Sequence, residues 1–454
     1  MGCSFVDIDN DSDLDLYVCG YDTPNRLYIN DGKGHFEDRA REFGLDFKGS
    51  SVMMAFADYD LDGDLDGYLL TNSLKRFDDG VRVKVTADPK TGQVIIPEEL
   101  REVVGGFYFP GAGIKTFPTG QADRLFRNEG GRFRDVTAAS GITGYEMGLS
   151  AVWWDYNQDG RPDLYVANDF YGQDHLYKNN GPAGPAGQIT FTDVIGSSMP
   201  HTPWYSMGSD TGDLNNDGLP DFMASDMAGS THYKDKIGMG DMEEEGWFLT
   251  YPTPRQYMRN AVYLNSGGER FFEIAHQAGL AATDWTWSIL FGDLDNDGWL
   301  DVYATNGMTR DLFNSDLKEA EAAIMKRRDW NAAARFWSAR EPKKDPNYAF
   351  RNRGDLRFTK QGARWGLDHL GVSFGAALGD LDADGDLDLV VEGDPRLANP
   401  YSVIAVNPAR HPHVNARAAE RFIEWIRSPP AQRAIGAFRV GGEPLFVPSA
   451  RPPG

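Results

Sequence analysis

A nine-residue acidic loop occurs six times in this chain, and few folds accommodate it. The copies begin at Asp7 (DIDNDSDLD), Asp58 (DYDLDGDLD), Asp155 (DYNQDGRPD), Asp213 (DLNNDGLPD), Asp293 (DLDNDGWLD) and Asp380 (DLDADGDLD). Each keeps a side-chain oxygen at positions 1, 3 and 5 and an Asp at position 9. The candidate metal ligands are therefore Asp7, Asp9, Asp11 and Asp15; Asp58, Asp60, Asp62 and Asp66; Asp155, Asn157, Asp159 and Asp163; Asp213, Asn215, Asp217 and Asp221; Asp293, Asp295, Asp297 and Asp301; and Asp380, Asp382, Asp384 and Asp388. Alternate residues of a tightly curled loop point side chains inward together, and hard oxygen donors in that number suit calcium. Up to six calcium ions are expected. Position 6 is Gly in five copies, where a sharp turn at positive φ is needed. Ser12 takes that place in the first copy and is expected to be strained.

The EF-hand loop opens with the same residues but needs a bidentate Glu at position 12 and helices on both sides. Position 12 here is Val18, Leu69, Val166, Ala224, Ala304 or Val391, none of them a ligand. The flanks are short apolar and aromatic runs of strand character. These are loops between strands.

A second element follows each of the first five loops, starting at Asn25 (NRLYINDGKGHF), Asp123 (DRLFRNEGGRF), Asp174 (DHLYKNNGPAGPAGQITF), Asn260 (NAVYLNSGGERF) and Asn347 (NYAFRNRGDLRF). An aromatic strand, an Asn/Gly turn and a strand starting at Phe predict a β-hairpin. Loop and hairpin together specify four antiparallel strands. The shortest interval between loops, Asp7 to Asp58, is close to the ~40 to 50 residues of a propeller blade. The expected fold is all-β: a β-propeller of about six to seven blades, incomplete at both ends, with five full blades and half of a sixth in residues 1–392. Helical insertions interrupt it, and a small α/β fragment follows at 393–454.

Insertions fall at about 74–122, 229–258 and 312–340. The first holds an alternating hairpin around Pro89-Lys90-Thr91-Gly92 and a short helix candidate after Pro97. The second has no clear period. The third predicts a helix, with Asp316 and Glu319 spaced as a capping box.

Loops of the form D-x-[DN]-x-D-G-x-[LP]-D with N-x-L-Y-x-N-x-G-x-G-x-F-x-D hairpins resemble the FG-GAP or VCBS repeats of integrin alpha-chain propellers, and more closely bacterial proteins related to cartilage acidic protein. The resemblance covers roughly residues 2–392. It implies a calcium-bearing propeller of about seven blades, exported from the cytoplasm and used for adhesion or recognition. The chain opens inside a blade strand without a signal peptide, which reads as a truncated N-terminus.

Residues 394–454 differ in composition, with eight Arg, no Lys and four acidic residues, against a net charge of −23 for the whole chain. A buried strand (NPYSVIAVNP) precedes an amphipathic helix bearing Ala419, Phe422, Ile423 and Ile426. Ser428-Pro429-Pro430 stops that helix, and another begins at AQRAIGAF. The segment resembles the extreme C-terminus of periplasmic tungstate-type solute-binding proteins, without their ligand-enclosing lobes. No oxyanion ligand is carried over.

The loops contain 25 of the 68 acidic residues, so the acidity is largely a metal-site signature and nucleic acid is excluded as a partner. No apolar run is long enough to span a bilayer. Loops of millimolar-calcium affinity place the protein in the periplasm or outside the cell, as a monomer. Cys3 and Cys19 flank the first loop and are expected to be buried free thiols.

Other residues invite chemical readings. His232, Tyr233, Lys234 and Asp235 have the makings of a general-base cluster, and Asp241 to Glu245 form an acidic run, read as solvated. His175 occupies a variable hairpin position. Among Trp153, Trp154, Trp204, Trp247, Trp285 and Trp287, Trp153 sits two before its loop, a core position by register. Trp247 is the candidate for an exposed sugar contact. No nucleophile elbow, P-loop, zinc spacing or HExxH occurs. The leading expectation is a non-catalytic, calcium-stabilised extracellular recognition or adhesion propeller with a protein or carbohydrate ligand. The alternatives are a calcium-dependent polysaccharide lyase using Lys234, Tyr233 or Arg259, and a tungstate or oxyanion transport fragment.

Overall fold

The computed structural model describes residues 2–74, 85–88, 90–91, 93–109, 113–170, 172–183, 187–238, 254–380, 386–391, 427–437, 439–440 and 443–444. The chain forms two compact units. The first is Met1–Thr211, Gly218–Ala224 and Glu245–Glu273; the second is Gly212–Asp217, Ser225–Glu244 and Ile274–Gly454.

In the first unit each loop-plus-hairpin segment becomes an antiparallel sheet. Blade 1 is Cys3–Val6, Asp15–Val18, Arg26–Asn30 and Phe36–Asp38, and blade 2 is Lys48–Ala57, Asp66–Thr71, Arg124–Asn128 and Phe133–Asp135. Blade 3 is Met147–Trp154, Asp163–Asp169, His175–Ala183 and Gln188–Asp193. Blade 4 follows the same order, Ser209–Gly212, Asp221–Ala224, Ala261–Asn265 and Phe271–Glu273. The second unit holds blade 5, Thr286–Gly292, Asp301–Asn306, Tyr348–Asn352 and Phe358–Lys360, and the pair Ala376–Gly379 with Asp388–Val391. The fold class is the all-β propeller class that the repeats specify.

The second strand of blades 2 to 5 is buried on both faces, centred on Tyr68, Tyr165, Phe222 or Tyr303, while in blade 1 buried Asp15 and Tyr17 alternate with half-buried Leu16 and Val18. An aromatic two before the loop packs on the blade before it. Phe56 meets Tyr17 edge-on at 5.9 Å, and Trp153 stacks on Tyr59 at 6.0 Å and meets Tyr68 edge-on. Aromatic pairs of this geometry contribute beyond their buried area. Phe5, at the same register in blade 1, is exposed instead. Trp154, Trp204 and Trp285 are buried, so they offer no sugar platform; Trp247 lies outside the described residues.

A single helical turn follows each hairpin, as at Ala40–Phe43, which ends on Gly44 at φ +79°. A Cβ there would lie 2.8 Å from the Phe133 carbonyl oxygen, so conformation and space both require glycine.

The insertions depart from expectation. In the first, Thr86–Ala87 pairs with Val94–Ile95 as the alternation predicts, but the helix after Pro97 is one 3-10 turn, Glu98–Leu100. A further hairpin, Val104–Phe109 with Gly113–Pro118, was not foreseen. The segment 312–340 is two helices, Ser315–Met325 and Trp330–Ser338. Asn314 caps the first, its side chain accepting the Asp316 and Leu317 N–H groups, so the proposed capping box begins two residues too late. Asp329 caps the second. In the aperiodic insertion, Thr231 caps a helix at His232–Ile237.

Cys3 faces Val18 across the strands, not Cys19, and the two cysteines form no disulfide. Cys19 is buried, and burial pushes its thiol up to about 12; Cys3 is exposed, contrary to expectation. Of the tail, the helix Pro429–Ala437 is described and starts two residues earlier than the sequence suggests. The strand and the helix of Ala419, Phe422, Ile423 and Ile426 lie outside the described residues. Among the described residues no helix is long and apolar enough to cross a membrane.

Candidate metal loops and their supporting hairpins

The position 1 carboxylate closes each of the first five loops. Asp58 accepts the N–H groups of Asp62 and Gly63 at 3.0 Å each, Asp155 those of Asp159 and Gly160, and Asp293 those of Asp297 and Gly298. Asp7 does the same with Asp11 and Ser12, and Asp213 accepts from Asp217. Position 6 has positive φ throughout these five loops; Ser12, at φ +75°, carries the strain expected of it.

Three clusters bring ligand atoms within 4.8 Å of one another: Asp7, Asp9 and Asp15; Asp58, Asp60 and Asp62; Asp293, Asp295 and Asp297. Burial and the neighbouring carboxylates raise Asp9, Asp60 and Asp295 above the usual range. A bound divalent cation reverses that penalty. Asp60 Oδ1 and Asp295 Oδ1 are buried with no hydrogen-bond donor, which fits them as cation ligands. Asp382 and Asp384 of the sixth loop lie outside the described residues.

Position 9 has a second job that the sequence did not reveal. The hairpin Asn donates its backbone N–H to this carboxylate: Asn30 to Asp15, Asn128 to Asp66, Asn179 to Asp163, Asn265 to Asp221 and Asn352 to Asp301, at 2.7 to 2.8 Å. Burial pushes Asp66 up to about 8, and Asp163 and Asp301 up to about 7. The same Asn side chains tie a blade to the loop of the blade before it. Asn179 Nδ2 donates to the Tyr59 carbonyl, Asn265 to Tyr156 and Asn352 to Leu214, each at 2.8 Å. The Asn is constant in all five hairpins and reads in sequence as a turn residue only.

Position 4 was also missed. Asn10, Leu61, Gln158, Asn216 and Asn296 all have positive φ. Gln158 reaches the Gly218 carbonyl at 2.8 Å, Asn216 that of Gly298 at 2.9 Å, and Asn10 the Asp64 carboxylate at 3.0 Å.

Charge compensation differs among loops. In loop 2 Arg127 sets Nε 2.7 Å from Asp60 Oδ2 and Nη2 3.4 Å from Asp62 Oδ2; in loop 5 Arg351 does so with Asp295 and Asp297 at 2.8 and 2.7 Å. Loops 3 and 4 use the Asn at position 3, Asn157 and Asn215, whose amides donate to Asp159 and Asp217.

In blades 1, 2, 3 and 5 the residue opening the hairpin couples to a tyrosine of the second strand. Asn25 donates to Tyr17 Oη at 2.7 Å and Asn347 to Tyr303 Oη at 3.0 Å. In blades 2 and 3 the residue is the largely buried Asp123 or the fully buried Asp174, accepting from Tyr68 at 2.7 Å and Tyr165 at 2.5 Å. Burial, partly offset by the hydroxyl and N–H donors, pushes both up to about 7. The unfolded carboxyls ionise near 3.8, so between about pH 4 and 7 the native state holds protons the unfolded state has lost. Stability falls as pH rises through that window. Asp123→Asn copies the solution of blades 1 and 5. We expect it to match wild type at pH 4 and to exceed it at pH 7 by on the order of 2 kcal/mol, read from urea midpoints across pH.

The residues suggested for catalysis are placed elsewhere. Lys234 Nζ lies 2.6 Å from Asp284 and 2.8 Å from Asp345, and these bonds, opposed by desolvation, hold its amine protonated well above the usual lysine range. Tyr233 is exposed, and Arg259 pairs with Glu273 at 2.9 Å. His175 is buried against Asp193 at 2.8 Å and Glu146 at 3.6 Å; its burial is outweighed by these carboxylates, which push it up to about 10. Asp241 to Glu245 lie outside the described residues.

Comparison with known proteins agrees with the repeats. Cartilage acidic protein 1 of Xenopus tropicalis is 23% identical over 456 residues, covering 88% of this chain and 58% of that protein. The Mus musculus protein is 22% identical, covering 97% and 63%. The tungstate-binding protein TupA of Peptoclostridium acidaminophilum is 46% identical over 72 residues, which is 15% of this chain and 25% of that protein. The chain thus spans a quarter of the tungstate-binding relative and about three fifths of the cartilage acidic proteins. Among solved structures, an Agrocybe aegerita lectin recognising non-reducing terminal N-acetylglucosamine aligns at TM-score 0.39 and 14% identity over 86% of this chain and 74% of that one. The V. cholerae biofilm matrix protein Bap1 aligns at 0.28 and 12% over 67% and 34%. A model of the FG-GAP-like repeat matches residues 7–69, 155–224 and 249–304, so the chain contains FG-GAP-like repeats.

Proposed function

We propose that this chain is a non-catalytic, calcium-stabilised recognition or adhesion propeller of the cartilage-acidic-protein type, working outside the cytoplasm on a protein or carbohydrate ligand. The observation carrying this reading is the convergence of acidic oxygens in repeated loops whose position 3 oxygens at Asp60 and Asp295 are buried without a donor. Calcium would be held by positions 1, 3, 5 and 9, up to six ions in all. It supplies charge neutralisation that lets the loops, and the hairpins hung from them, stay closed. The distance from Lys234 to its two carboxylates supports a structural role for that lysine over a base.

Calcium titration against a competing chelator should find several sites per chain with affinities near millimolar calcium or tighter. Uptake of one ion or none would sink the reading. Tungstate titration of the same chain should show no binding, because the likeness to tungstate-binding proteins spans only a quarter of their length; micromolar tungstate affinity would favour oxyanion transport instead.

A further inference from the structure

Blade 2 carries a juxtaposition found in no other blade hairpin among the described residues. Arg127 and Arg134 stand directly opposite each other on adjacent strands. The same register pairs Ile29 with Glu37, Lys178 with Thr192, Leu264 with Phe272 and Arg351 with Thr359. Like charges placed directly across a ladder are destabilising, so the two guanidiniums call for an anion between or beside them. Partners within the chain compensate each only in part. Arg127 leans on Asp60 and Asp62, and Arg134 on Glu129 at 2.8 Å across an exposed pair, which is worth little.

Both arginines line a cavity of about 220 Å³ with Asp60, Gln188, Val136 and Ile189. That volume is below the roughly 300 to 1,000 Å³ of drug-sized pockets and suits a single ring. Val136 and Ile189 give one wall an apolar surface, and Gln188, whose Nε2 donates to the Ala139 carbonyl, keeps its amide oxygen to accept from a hydroxyl group. The carboxylate end of the cavity adjoins loop 2 through Asp60, whose side chain is 4% exposed.

We propose that this cavity binds a sugar acid, its carboxylate bridging Arg127 and Arg134 and its ring lying on Val136 and Ile189. Resting on the calcium reading above, the site is also metal-coupled. An ion on Asp58, Asp60 and Asp62 takes over the charge that Arg127 otherwise balances, and leaves the guanidinium's positive field to the ligand. By linkage, the ligand tightens calcium at loop 2 by the same factor.

The test is calorimetric titration of the full chain with glucuronate, galacturonate and mannuronate, with glucose as the neutral match, in calcium and in chelator. The variant is Arg134→Thr, which installs the residue found at this register in blades 3 and 5. Thermal unfolding confirms that it folds. At least one uronate should bind wild type in calcium, ten-fold or more tighter than it binds Arg134→Thr and ten-fold tighter than in chelator, with glucose failing to bind. Failure of all three uronates, or equal binding by wild type and variant, overturns the cavity proposal. Calcium uptake measured on the same samples separates the two readings. Calcium binding with no Arg134 effect leaves the loops standing and removes the cavity site. An Arg134 effect without calcium uptake keeps the cavity and removes the coupling.

Discussion

Chelation of calcium should lower the thermal midpoint of the full chain by about 15 °C. If each loop binds at ~0.1 mM and free calcium is ~1 mM, one site contributes about 1.4 kcal/mol by mass action, and six contribute about 8 kcal/mol. Shifts of roughly 2 °C per kcal/mol are expected for domains of 150 to 250 residues. That energy rivals the ~5 to 15 kcal/mol net stability of a typical domain. The loss should not be uniform. Loop 1 gathers Asp7, Asp9 and Asp15 with only the longer-range charge of Arg39, which is paired with Glu42, to offset them, and with Ser12 strained at position 6. Loops 2 and 5 keep Arg127 and Arg351 as partial counter-ions when the ion leaves. Hydrogen exchange in chelator should therefore deprotect Asp7–Val18 before Asp58–Thr71. An unchanged midpoint and unchanged exchange would remove calcium from the account of this fold.

The loops were legible because each residue in them acts locally. Oxygens at odd positions, a turn residue at position 6 and apolar flanks are constraints that a nine-residue window contains. The hairpins were legible for the same reason. The contacts joining these parts were not. Asn265 looks like a turn residue until blade 4 is placed beside loop 3, where it reaches the Tyr156 carbonyl 109 residues away. Arg127 and Arg134 look like ordinary surface charges until the turn between them sets them in register. The two helices at 315–338 were read as one because the break rests on Arg328 at φ +54°, an unusual conformation for that side chain, and on the Asp329 cap. Phe5 shows the opposite failure. Its register matches Trp153, but burial at that position comes from the blade before it, not from its own sheet.

Lys234→Met should cost about 3 kcal/mol, the largest effect expected of any single substitution here. The lysine comes from the helix His232–Ile237 and is bonded to Asp284 and Asp345, whose side chains are 3% and 6% exposed. Removing the cation leaves two nearly buried carboxylates facing each other, and orphaned buried charges of this kind cost about 3 to 5 kcal/mol; the lower figure applies because the lysine is 28% exposed. Asp284 keeps donors in Tyr348 and in the Ser230 N–H at 2.8 Å, whereas Asp345 Oδ2 already lacks one. Asp345→Asn in the Lys234→Met background should therefore recover much of the loss, while Asp345→Asn alone should be mildly destabilising. Despite its burial, Asp284 is held below the usual carboxylate range by Lys234 and by the hydrogen bonds it accepts from Tyr348 and Ser230. The stabilisation it supplies is present above about pH 4 and lost as pH falls through the lower folded value. Urea unfolding at pH 7 and pH 3 reads both effects. A Lys234→Met variant as stable as wild type at pH 7, but unable to cleave a polyuronate that wild type cleaves, would instead make this lysine a base and the chain an enzyme.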